Sequence, residues 1–208
     1  MKIYDISLAL SANTTRWVTA QPFELIERKR MSRGDTNNSS SMHTSVHAGT
    51  HMDAPFHFVG EGLTIEKLPV DLFIGPARVC AVDVARQIAA ADIAKLDLAG
   101  EKRVLFKTRN SQLLKKTDYD PSFVAFAEDG AKALAELGVQ LVGLDYLSVA
   151  HADEQVPVHR AFLDHGVILL EGVDLSEVPP GRYELFCPPV KITGSDGAPC
   201  RAVLRELR

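Results

Sequence analysis

The feature that most constrains this chain is a stretch of eleven residues, from 47 to 57, that holds three histidines and one carboxylate: His47, His51, Asp53 and His57. Few structural roles require so many metal-binding groups in so short a segment. All four occupy odd positions, so their side chains leave an extended backbone on the same face. A straight strand would separate the first from the last by roughly 30 Å, and the segment must therefore bend if all four are to share one site.

Two residues of this stretch are suited to producing the bend. Gly49 admits positive φ, and Pro55 fixes φ and removes a backbone donor. The same two residues argue against a regular helix in which His47 and His51 would stand one turn apart. We therefore expect the end of a strand that runs into a compact loop.

The residue types point to a divalent metal. Two imidazoles and a carboxylate suit zinc or another first-row ion, with positions left open for water, as in catalytic rather than structural sites. His57 then remains as a candidate proton carrier, because an unperturbed pKa of about 6.5 suits general acid and base chemistry at neutral pH. A single buried histidine is more often a hydrogen-bonded core residue, but four such groups together favour a metal site.

Bulk composition narrows the function classes. The chain has 208 residues, 46% of them hydrophobic and 24% charged, as in an ordinary globular protein, and we expect one domain over residues 1–208. A net charge of −4 argues against a nucleic-acid binder. No apolar run approaches the roughly 20 residues that a membrane span needs, and the N-terminus lacks a signal-peptide core, so a cytoplasmic location is expected.

Other catalytic and redox motifs are missing from the sequence. Cys80, Cys187 and Cys200 are widely spaced without a Cys-x-x-Cys pair, so we expect free thiols rather than disulfides or a thiolate zinc site. No Gly-x-Ser-x-Gly elbow, His-Glu-x-x-His helix, Walker loop or Gly-x-Gly-x-x-Gly turn occurs. These absences leave the 47–57 stretch as the centre of the functional argument.

Hydrophobic periodicity and turn residues predict alternating helices and strands. Helices are expected at 128–137 and 158–165, each followed by a strand, and Asp92 is expected to cap a short helix; strands are expected at 2–8, 22–29, 75–84, 103–107, 141–144 and 167–170. The helix-then-strand order is the unit that builds mixed α/β sheets. Near the C-terminus, strands at 183–192 and 198–204 flank Gly194–Gly197, which predicts a hairpin.

The string His47-x-Gly-Thr-His51-x-Asp53-x-Pro-x-His57 resembles the signature of the cyclase-like metal-dependent hydrolases, the family of bacterial kynurenine formamidase and isatin hydrolase. Later segments resemble further blocks of the family in the same order: Gly143–Asp145, Leu170–Gly172, Val178–Leu185 and Arg201–Leu204. The resemblance covers essentially the whole chain. It implies an α/β fold of the swivelling β/β/α type, with a mixed central β-structure and flanking helices.

The resemblance also implies the site. One metal ion would be held by His47, His51 and Asp53, and a second by Asp53, His159 and Glu171, with zinc expected and manganese, or a single ion, as alternatives. Trp17 would line the substrate pocket, although the family often continues this tryptophan with Pro-Gly-Asp where this chain has Val18-Thr-Ala. A homodimer or higher homo-oligomer is expected by the same analogy. The remaining histidines match no ligand position and are expected to be structural: His43, His151 and His165.

The implied reaction is hydrolysis of a small amide through a metal-bound hydroxide, with His57 carrying a proton to the leaving amine. For an arylformamidase, the substrate is N-formylkynurenine and the products are kynurenine and formate. An isatin-like lactam, another small amide or an ester is the alternative within the same chemistry. A non-catalytic metal or small-molecule binding protein is the alternative from another class.

Overall fold

The structure is a computed structural model that describes residues 1–207. Within them the strands are β1 (Ile3–Asp5), β2 (Glu24–Lys29), β3 (Ser39–His43), β4 (His51–Asp53), β5 (Ile74–Ala81), β6 (Gln87–Ile88), β7 (Arg103–Lys107), β8 (Ala125–Phe126), β9 (Leu141–Leu144), β10 (Ile168–Glu171), β11 (Gly181–Phe186), β12 (Gly197–Pro199) and β13 (Val203–Glu206). The helices are α1 (Ala90–Ile93), α2 (Asn110–Leu113), α3 (Glu128–Glu136) and α4 (Gln155–Leu163). None of these helices is long and apolar enough to cross a membrane.

A nine-stranded mixed sheet forms the centre, in the order β1-β13-β11-β5-β7-β9-β10-β4-β12. Its middle strands, β5, β7, β9 and β10, run parallel, and antiparallel strands extend the sheet at both ends. Strands β9 and β10 are buried throughout, as their unbroken apolar sequences require in a sheet covered on both faces. The expected α/β class, with a mixed central β-structure of the swivelling β/β/α type and flanking helices, is confirmed.

Alternate residues of the parallel strands enter two separate cores. Leu105 and Leu170 face one core together with residues of the antiparallel strands, such as Leu204. Phe106 and Leu169 face the other core, which is closed by the helices α1, α3 and α4. This division follows from the two-residue repeat of side-chain direction along a strand. The sheet thus separates a helical layer from a layer built of strands and loops.

The stretch from 47 to 57 folds differently from the expected strand end followed by a loop. A turn comes first, with Gly49 at a φ of 63°, then the short strand β4, and then a 3₁₀ turn over Pro55–His57. The bend at Gly49 and the start of the 3₁₀ turn at Pro55 agree with the sequence argument. The strand lies in the middle of the stretch because its backbone finds partners on both sides, in β10 and β12.

The expected C-terminal hairpin is present but interrupted: β11 pairs antiparallel with β13, with Phe186 opposite Val203, and a bridge joins Pro189 to Cys200 in the same register. Strand β12, just after the turn, pairs instead with β4, with Gly197 opposite Asp53 and Pro199 opposite His51. Pro188 and Pro189 lack backbone donors, so the preceding strand cannot continue as a ladder partner. The residues that follow the break are therefore available to the edge of the central sheet.

Two smaller expectations are also resolved. Asp92 does not occupy the N-cap of α1; it lies inside the first turn and accepts a hydrogen bond from the backbone N–H of Ala89, which is the N-cap residue. The Asp92 carboxylate thus satisfies a backbone N–H at the N-terminus of α1, as the third residue of a capping box does. The three cysteines are free thiols, as expected: Cys80, Cys187 and Cys200.

Gly172 follows β10 directly and packs against the 47–57 stretch. It has a φ of +68°, and a Cβ at this position would lie 2.2 Å from the carbonyl oxygen of Gly49. Thr50 also donates a hydrogen bond through Oγ1 to the carbonyl of Gly172, at 2.6 Å. The end of β10 and the turn at Gly49 therefore touch through backbone atoms, which leaves no room for a side chain.

We expect Gly172→Ala to lower the free energy of unfolding more than Gly166→Ala. Gly166 has a similar φ of +74°, but a Cβ there would meet no atom within 4 Å, so its substitution costs only the left-handed backbone strain, about 1–2 kcal/mol. Gly172→Ala adds a collision with backbone, worth roughly a further 1–3 kcal/mol. Urea unfolding of both variants with chelator present measures the difference, and equal losses would contradict the close approach.

Candidate metal centre

Three parts of the fold bring the predicted ligands together. The turn and β4 carry His47, His51 and Asp53, α4 carries His159, and the last residue of β10 is Glu171. His57, the predicted proton carrier, lies on the 3₁₀ turn that follows β4. The antiparallel pairing of β10 with β4 sets Glu171 directly opposite His51. Cross-strand neighbours of this kind have side chains within reach of each other. The ladder therefore delivers a distant glutamate to the histidine stretch.

Asp53 lies in the middle of the cluster, with only 1% of its side chain exposed. His47 Nδ1 is 2.8 Å from Asp53 Oδ1, and His51 Nε2 is 3.4 Å from the same oxygen. The other oxygen, Oδ2, is 3.8 Å from His159 Nε2. One carboxylate thus faces three imidazoles.

Glu171 faces two of the same imidazoles from the other side. Its Oε2 is 3.3 Å from His51 Nε2, and its Oε1 is 3.6 Å from His159 Nε2. The backbone N–H of Val149 donates to Oε1 at 2.6 Å, which fixes the carboxylate. His51 and His159 therefore lie between two buried carboxylates.

Backbone carbonyls set the orientation of these two rings. His51 donates through Nδ1 to the carbonyl of Gly49 at 3.0 Å, and His159 donates through Nδ1 to the carbonyl of Gln155 at 2.8 Å. A carbonyl oxygen can only accept, so each Nδ1 carries the hydrogen. Each Nε2 then faces the carboxylates and is the ring nitrogen that a cation would bind in place of a proton, which is the arrangement that metal-binding histidines adopt.

The cluster has a strongly negative potential. Burial disfavours the protonated form of His47, yet the charge of Asp53 and the hydrogen bonds to Asp196 and Asp53 outweigh it and raise the pKa of His47 to about 9. Burial acts likewise on His51, and the neighbouring carboxylates of Asp53 and Glu171 outweigh it and raise the pKa of His51 to about 10. Carboxylates that hold protons on imidazoles this firmly also attract a metal cation, which competes with those protons.

His57 has the opposite electrostatic environment. Burial lowers the pKa of His57 below its usual value, with the nearby His47 and His159 acting in the same direction against the attraction of Asp53. Its ring is stacked on His47, with centroids 4.1 Å apart and planes 28° apart. A neutral imidazole at neutral pH is ready to accept a proton.

The buried polar atoms fit a divalent cation. Among the described residues, His51 Nε2 and Asp53 Oδ2 are fully buried and have no hydrogen-bond partner. Such atoms are costly unless something else satisfies them. Ligand atoms of His47, His51 and Asp53 lie within 4.8 Å of one another, as do those of Asp53, His57 and His159. Nitrogen and carboxylate oxygen at this spacing suit zinc, manganese and similar ions.

A cavity of about 300 Å³ opens next to the cluster. Trp17, which the resemblance assigns to the substrate pocket, lines this cavity and packs edge-on against Tyr119 with ring centroids 5.0 Å apart. His57, His159 and Glu171 line the same cavity. The predicted metal ligands and the predicted pocket residue therefore share one space.

Two residues near the centre were missed from the sequence. Arg16 lines the cavity beside Trp17. Asp196, in the turn before β12, has its Oδ2 2.8 Å from His47 Nε2 and 3.2 Å from His57 Nδ1. In the sequence, Arg16 is marked by the neighbouring tryptophan and Asp196 by the glycines on either side of its turn. Both patterns are common in loops. The histidines expected to be structural lie outside the cluster: His43, His151 and His165.

Comparison with known proteins places this geometry in a family. The model of the putative cyclase family matches residues 4–151. The chain is 42% identical to a kynurenine formamidase of Salinibacter ruber, over 99% of this chain and 98% of that protein. It is 39% identical to cyclase-like protein 3 of Arabidopsis thaliana, over 98% of this chain and 79% of that protein.

Solved structures agree with the family match. A potential metal-dependent hydrolase with cyclase activity superposes with a TM-score of 0.85 at 34% identity, covering 99% of both chains. Isatin hydrolase A from Labrenzia aggregata has a TM-score of 0.82 at 20% identity, over 98% of this chain and 93% of that one, and shares the fold. The matched family model spans most of the chain and the relatives span nearly all of it, so the chain belongs to the putative cyclase family.

Proposed function

We propose that this protein is a metal-dependent hydrolase of small amides that converts N-formylkynurenine to kynurenine and formate. The observation that carries the proposal is the position of the Asp53 cluster, with its unsatisfied ligand atoms, against a cavity also lined by His57 and Trp17. The cavity therefore brings together groups that can hold a cation, a neutral imidazole that can act as a base, and an aromatic side chain. The 42% identical relative described as a kynurenine formamidase supports the choice of substrate.

The proposed ligands form two sets that share Asp53. His47, His51 and Asp53 would hold one divalent ion, and Asp53, His159 and Glu171 would hold the other, with zinc as the ion of choice and manganese, or a single ion, as the alternative. When bound, divalent ions supply an activated water and polarise a carbonyl oxygen. The chain's own part is to bury the carboxylates, fix the imidazole tautomers and exclude bulk water from Asp53.

His57 is the proposed proton carrier. It lines the cavity and its lowered pKa keeps it neutral before the reaction, so it accepts a proton from the attacking water and returns it to the nitrogen of the leaving amine. An arylamine is expelled more easily than an alkylamine but still gains from protonation. His57 lines the cavity and its side chain is 26% exposed, so it is within reach of a bound substrate.

The cavity walls favour an aromatic substrate that carries a carboxylate. Trp17 and Phe58 line the cavity, and Phe58 stacks on His159 with centroids 4.3 Å apart. Arg16 also lines the cavity and forms no ion pair within the part of the chain that the structure describes, so it is available to a substrate carboxylate. N-formylkynurenine has both an aryl ring and a carboxylate, whereas isatin has no carboxylate. We therefore place an isatin-like lactam, another small amide or an ester second.

We also propose a cytoplasmic homodimer. The two-stranded ribbon of β2 and β3 places Leu25 opposite Met42, and these side chains are 57% and 60% exposed. A two-stranded ribbon is marginal by itself and gains from packing on a further surface. A second copy of the chain is the simplest such surface. A non-catalytic metal-binding role is disfavoured because it gives no purpose to His57 at the cavity wall.

We expect the purified protein, reconstituted with Zn²⁺ or Mn²⁺, to release kynurenine from N-formylkynurenine with kcat/KM of about 10⁴ M⁻¹s⁻¹ or more. Removal of metal by a chelator should abolish turnover, since the proposal places water activation at the ions. Absorbance of the released kynurenine measures the rate. A folded, metal-loaded protein with no turnover would refute this substrate and direct assays to isatin and other cyclic amides.

His57→Ala is expected to reduce kcat by roughly 10²–10⁴-fold while bound metal stays unchanged, because the variant loses proton transfer but no proposed ligand. Asp53→Asn should instead lose metal, since it weakens both ligand sets. Metal content by inductively coupled plasma mass spectrometry, measured beside kcat, separates the two effects. His165→Ala, which changes an exposed histidine just beyond the end of α4, is the control. Unchanged turnover in His57→Ala would refute its role.

Arg16→Gln is expected to raise KM for N-formylkynurenine by roughly 10–100-fold, the value of one hydrogen bond to a charged group. Formanilide, which has the same amide and aryl ring but no carboxylate, should be hydrolysed equally by the variant and the wild type. Arg182→Gln, whose arginine pairs with Glu101 elsewhere on the surface, controls for loss of charge. An equal effect on both substrates would show that Arg16 does not recognise the carboxylate.

A further inference from the structure

The turn at residues 194–197 brings a carboxylate to two histidines at once. A single oxygen, Asp196 Oδ2, is 2.8 Å from His47 Nε2 and 3.2 Å from His57 Nδ1. The two rings are stacked, with centroids 4.1 Å apart, so their nitrogen-bearing edges reach the same point. A carboxylate oxygen has two lone pairs and can accept from both rings.

We propose that Asp196 is a positioning residue that orients His47 and His57 together, an inference that rests on the proposed hydrolase function. Through His47 Nε2–H, it turns Nδ1 of that ring toward Asp53 as a metal ligand. Through His57 Nδ1–H, it leaves Nε2 of that ring as the nitrogen that exchanges protons. One carboxylate thus couples the geometry of a metal ligand to the geometry of the proton carrier.

Histidines in metal centres and in catalytic sites are commonly oriented by a neighbouring hydrogen-bond acceptor, and this is the physical basis of the proposal. A histidine that binds a metal through one nitrogen usually donates the other N–H to a carboxylate or carbonyl, which fixes its tautomer and orientation. A carboxylate beside a catalytic imidazole likewise selects the tautomer whose free nitrogen faces the reacting group. In this chain His51 and His159 use backbone carbonyls for that purpose. His47 bonds to Asp196 instead, and His57 Nδ1 lies 3.2 Å from the same carboxylate oxygen.

The backbone of Asp196 is tied to the strand that carries the ligands. The N–H of Ala54, next to Asp53, donates to the carbonyl of Asp196 at 2.9 Å, and Gly197 is the register partner of Asp53. The Asp196 carboxylate is therefore held at a fixed distance from Asp53, not presented by a free loop. A separate hydrogen bond of the turn, from Ser195 Oγ to the carbonyl of Gly197 at 2.7 Å, does not involve Asp196.

Gly197 permits the close approach that this arrangement needs. A Cβ on Gly197 would lie 2.7 Å from His47 Cε1 and 2.7 Å from the carbonyl oxygen of Met52. The His47 ring thus lies directly against the backbone of β12. Contact with Gly197, the stack on His57 and the bond to Asp196 restrict the ring on several sides, which is the preorganisation that a ligand requires.

The charge of Asp196 supports the same role. Its side chain is 39% exposed, in contrast to the buried Asp53, and the hydrogen bond from His47 lowers the pKa of Asp196 to about 2. It therefore remains an ionised acceptor at neutral pH. The rival role is that of a direct ligand, because His47, His57 and Asp196 also place ligand atoms within 4.8 Å of one another. In that role His47 would bind the metal through Nε2. Its Nδ1 would then no longer be a ligand in the set formed with His51 and Asp53.

The test compares Asp196→Asn with Ser195→Ala, which removes a hydrogen bond of the same turn without touching either imidazole. We expect Asp196→Asn to keep the wild-type metal stoichiometry at saturation but to bind Zn²⁺ about 10–100-fold more weakly in competition with a chromogenic chelator. We also expect kcat to fall more than 10-fold with little change in KM, and Asp196→Glu to restore part of both losses. Ser195→Ala should match wild type in all of these measurements.

A second measurement reads the orientation directly. In the ¹⁵N spectrum of histidine-labelled, Zn²⁺-loaded wild type, His57 should have its hydrogen on Nδ1, and Asp196→Asn should shift the population toward the Nε2–H tautomer. An Nε2–H tautomer of His57 in wild type would overturn the proposal, even if the variants fail to fold. Loss of a full equivalent of metal in Asp196→Asn would overturn it in favour of the direct-ligand role.

These two readouts do not depend on the substrate. If N-formylkynurenine is not hydrolysed, the weaker Zn²⁺ binding and the tautomer shift still support the positioning role of Asp196. If Zn²⁺ affinity and tautomer are unchanged while turnover is intact, the positioning role fails and the proposed function survives. The two conclusions can therefore fail separately.

Discussion

Burial of the Asp53 carboxylate is the constraint on which the rest of this structure depends. A charge removed from water is costly unless opposite charges or hydrogen-bond donors surround it. Around Asp53, imidazoles from two separate elements, the 47–57 stretch and α4, supply these groups. The carboxylate of Glu171, from β10, lies next to one of the same imidazoles. The turn at Gly49, the pairing of β4 and the position of α4 can be understood as the means of assembling those groups around one side chain.

Another buried aspartate shows what a purely structural carboxylate looks like. Asp145 receives four hydrogen bonds, from the backbone N–H and hydroxyl groups of Thr108 and Ser111, and holds the end of β7 to the start of α2. Burial nevertheless raises the pKa of Asp145, whereas the histidines around Asp53 hold its pKa well below the usual value. Asp53 is also left with one oxygen unsatisfied among the described residues. The contrast separates a carboxylate that completes its own network from one shaped to receive a cation.

Sequence reasoning succeeded where the information was local. The density of ligand types between His47 and His57 identified the centre, and Gly49 provided the bend that places the groups together. The family assignment and the α/β fold are confirmed, and Trp17 lines the cavity as expected. His159 and Glu171 came from the resemblance alone, because nothing in a helix interior or at a strand end marks a residue as a ligand. A single domain over residues 1–208 stays a prediction, as do the roles of the site residues.

Sequence reasoning failed where strand pairing was non-local. Gly194–Gly197 has the composition of a hairpin turn and the arms around it do pair, but the prolines at 188 and 189 that interrupt the ladder do not reveal that β12 pairs with β4. With the pairing to β4 unknown, Asp196 looked like an ordinary turn residue. Arg16 was overlooked for a similar reason, since the cavity wall to which it belongs is defined only by the folded sheet.

The position of β4 between β10 and β12 has a consequence for how the protein is made. Its two partners lie more than half the chain length further on, so a ribosome must synthesise almost the entire chain before the centre can exist. Until then the imidazoles and the carboxylate of the 47–57 stretch are not held in place by the sheet, and a cation bound to the unfolded chain would oppose folding rather than assist it. The order of biosynthesis thus favours closing the sheet before a cation binds.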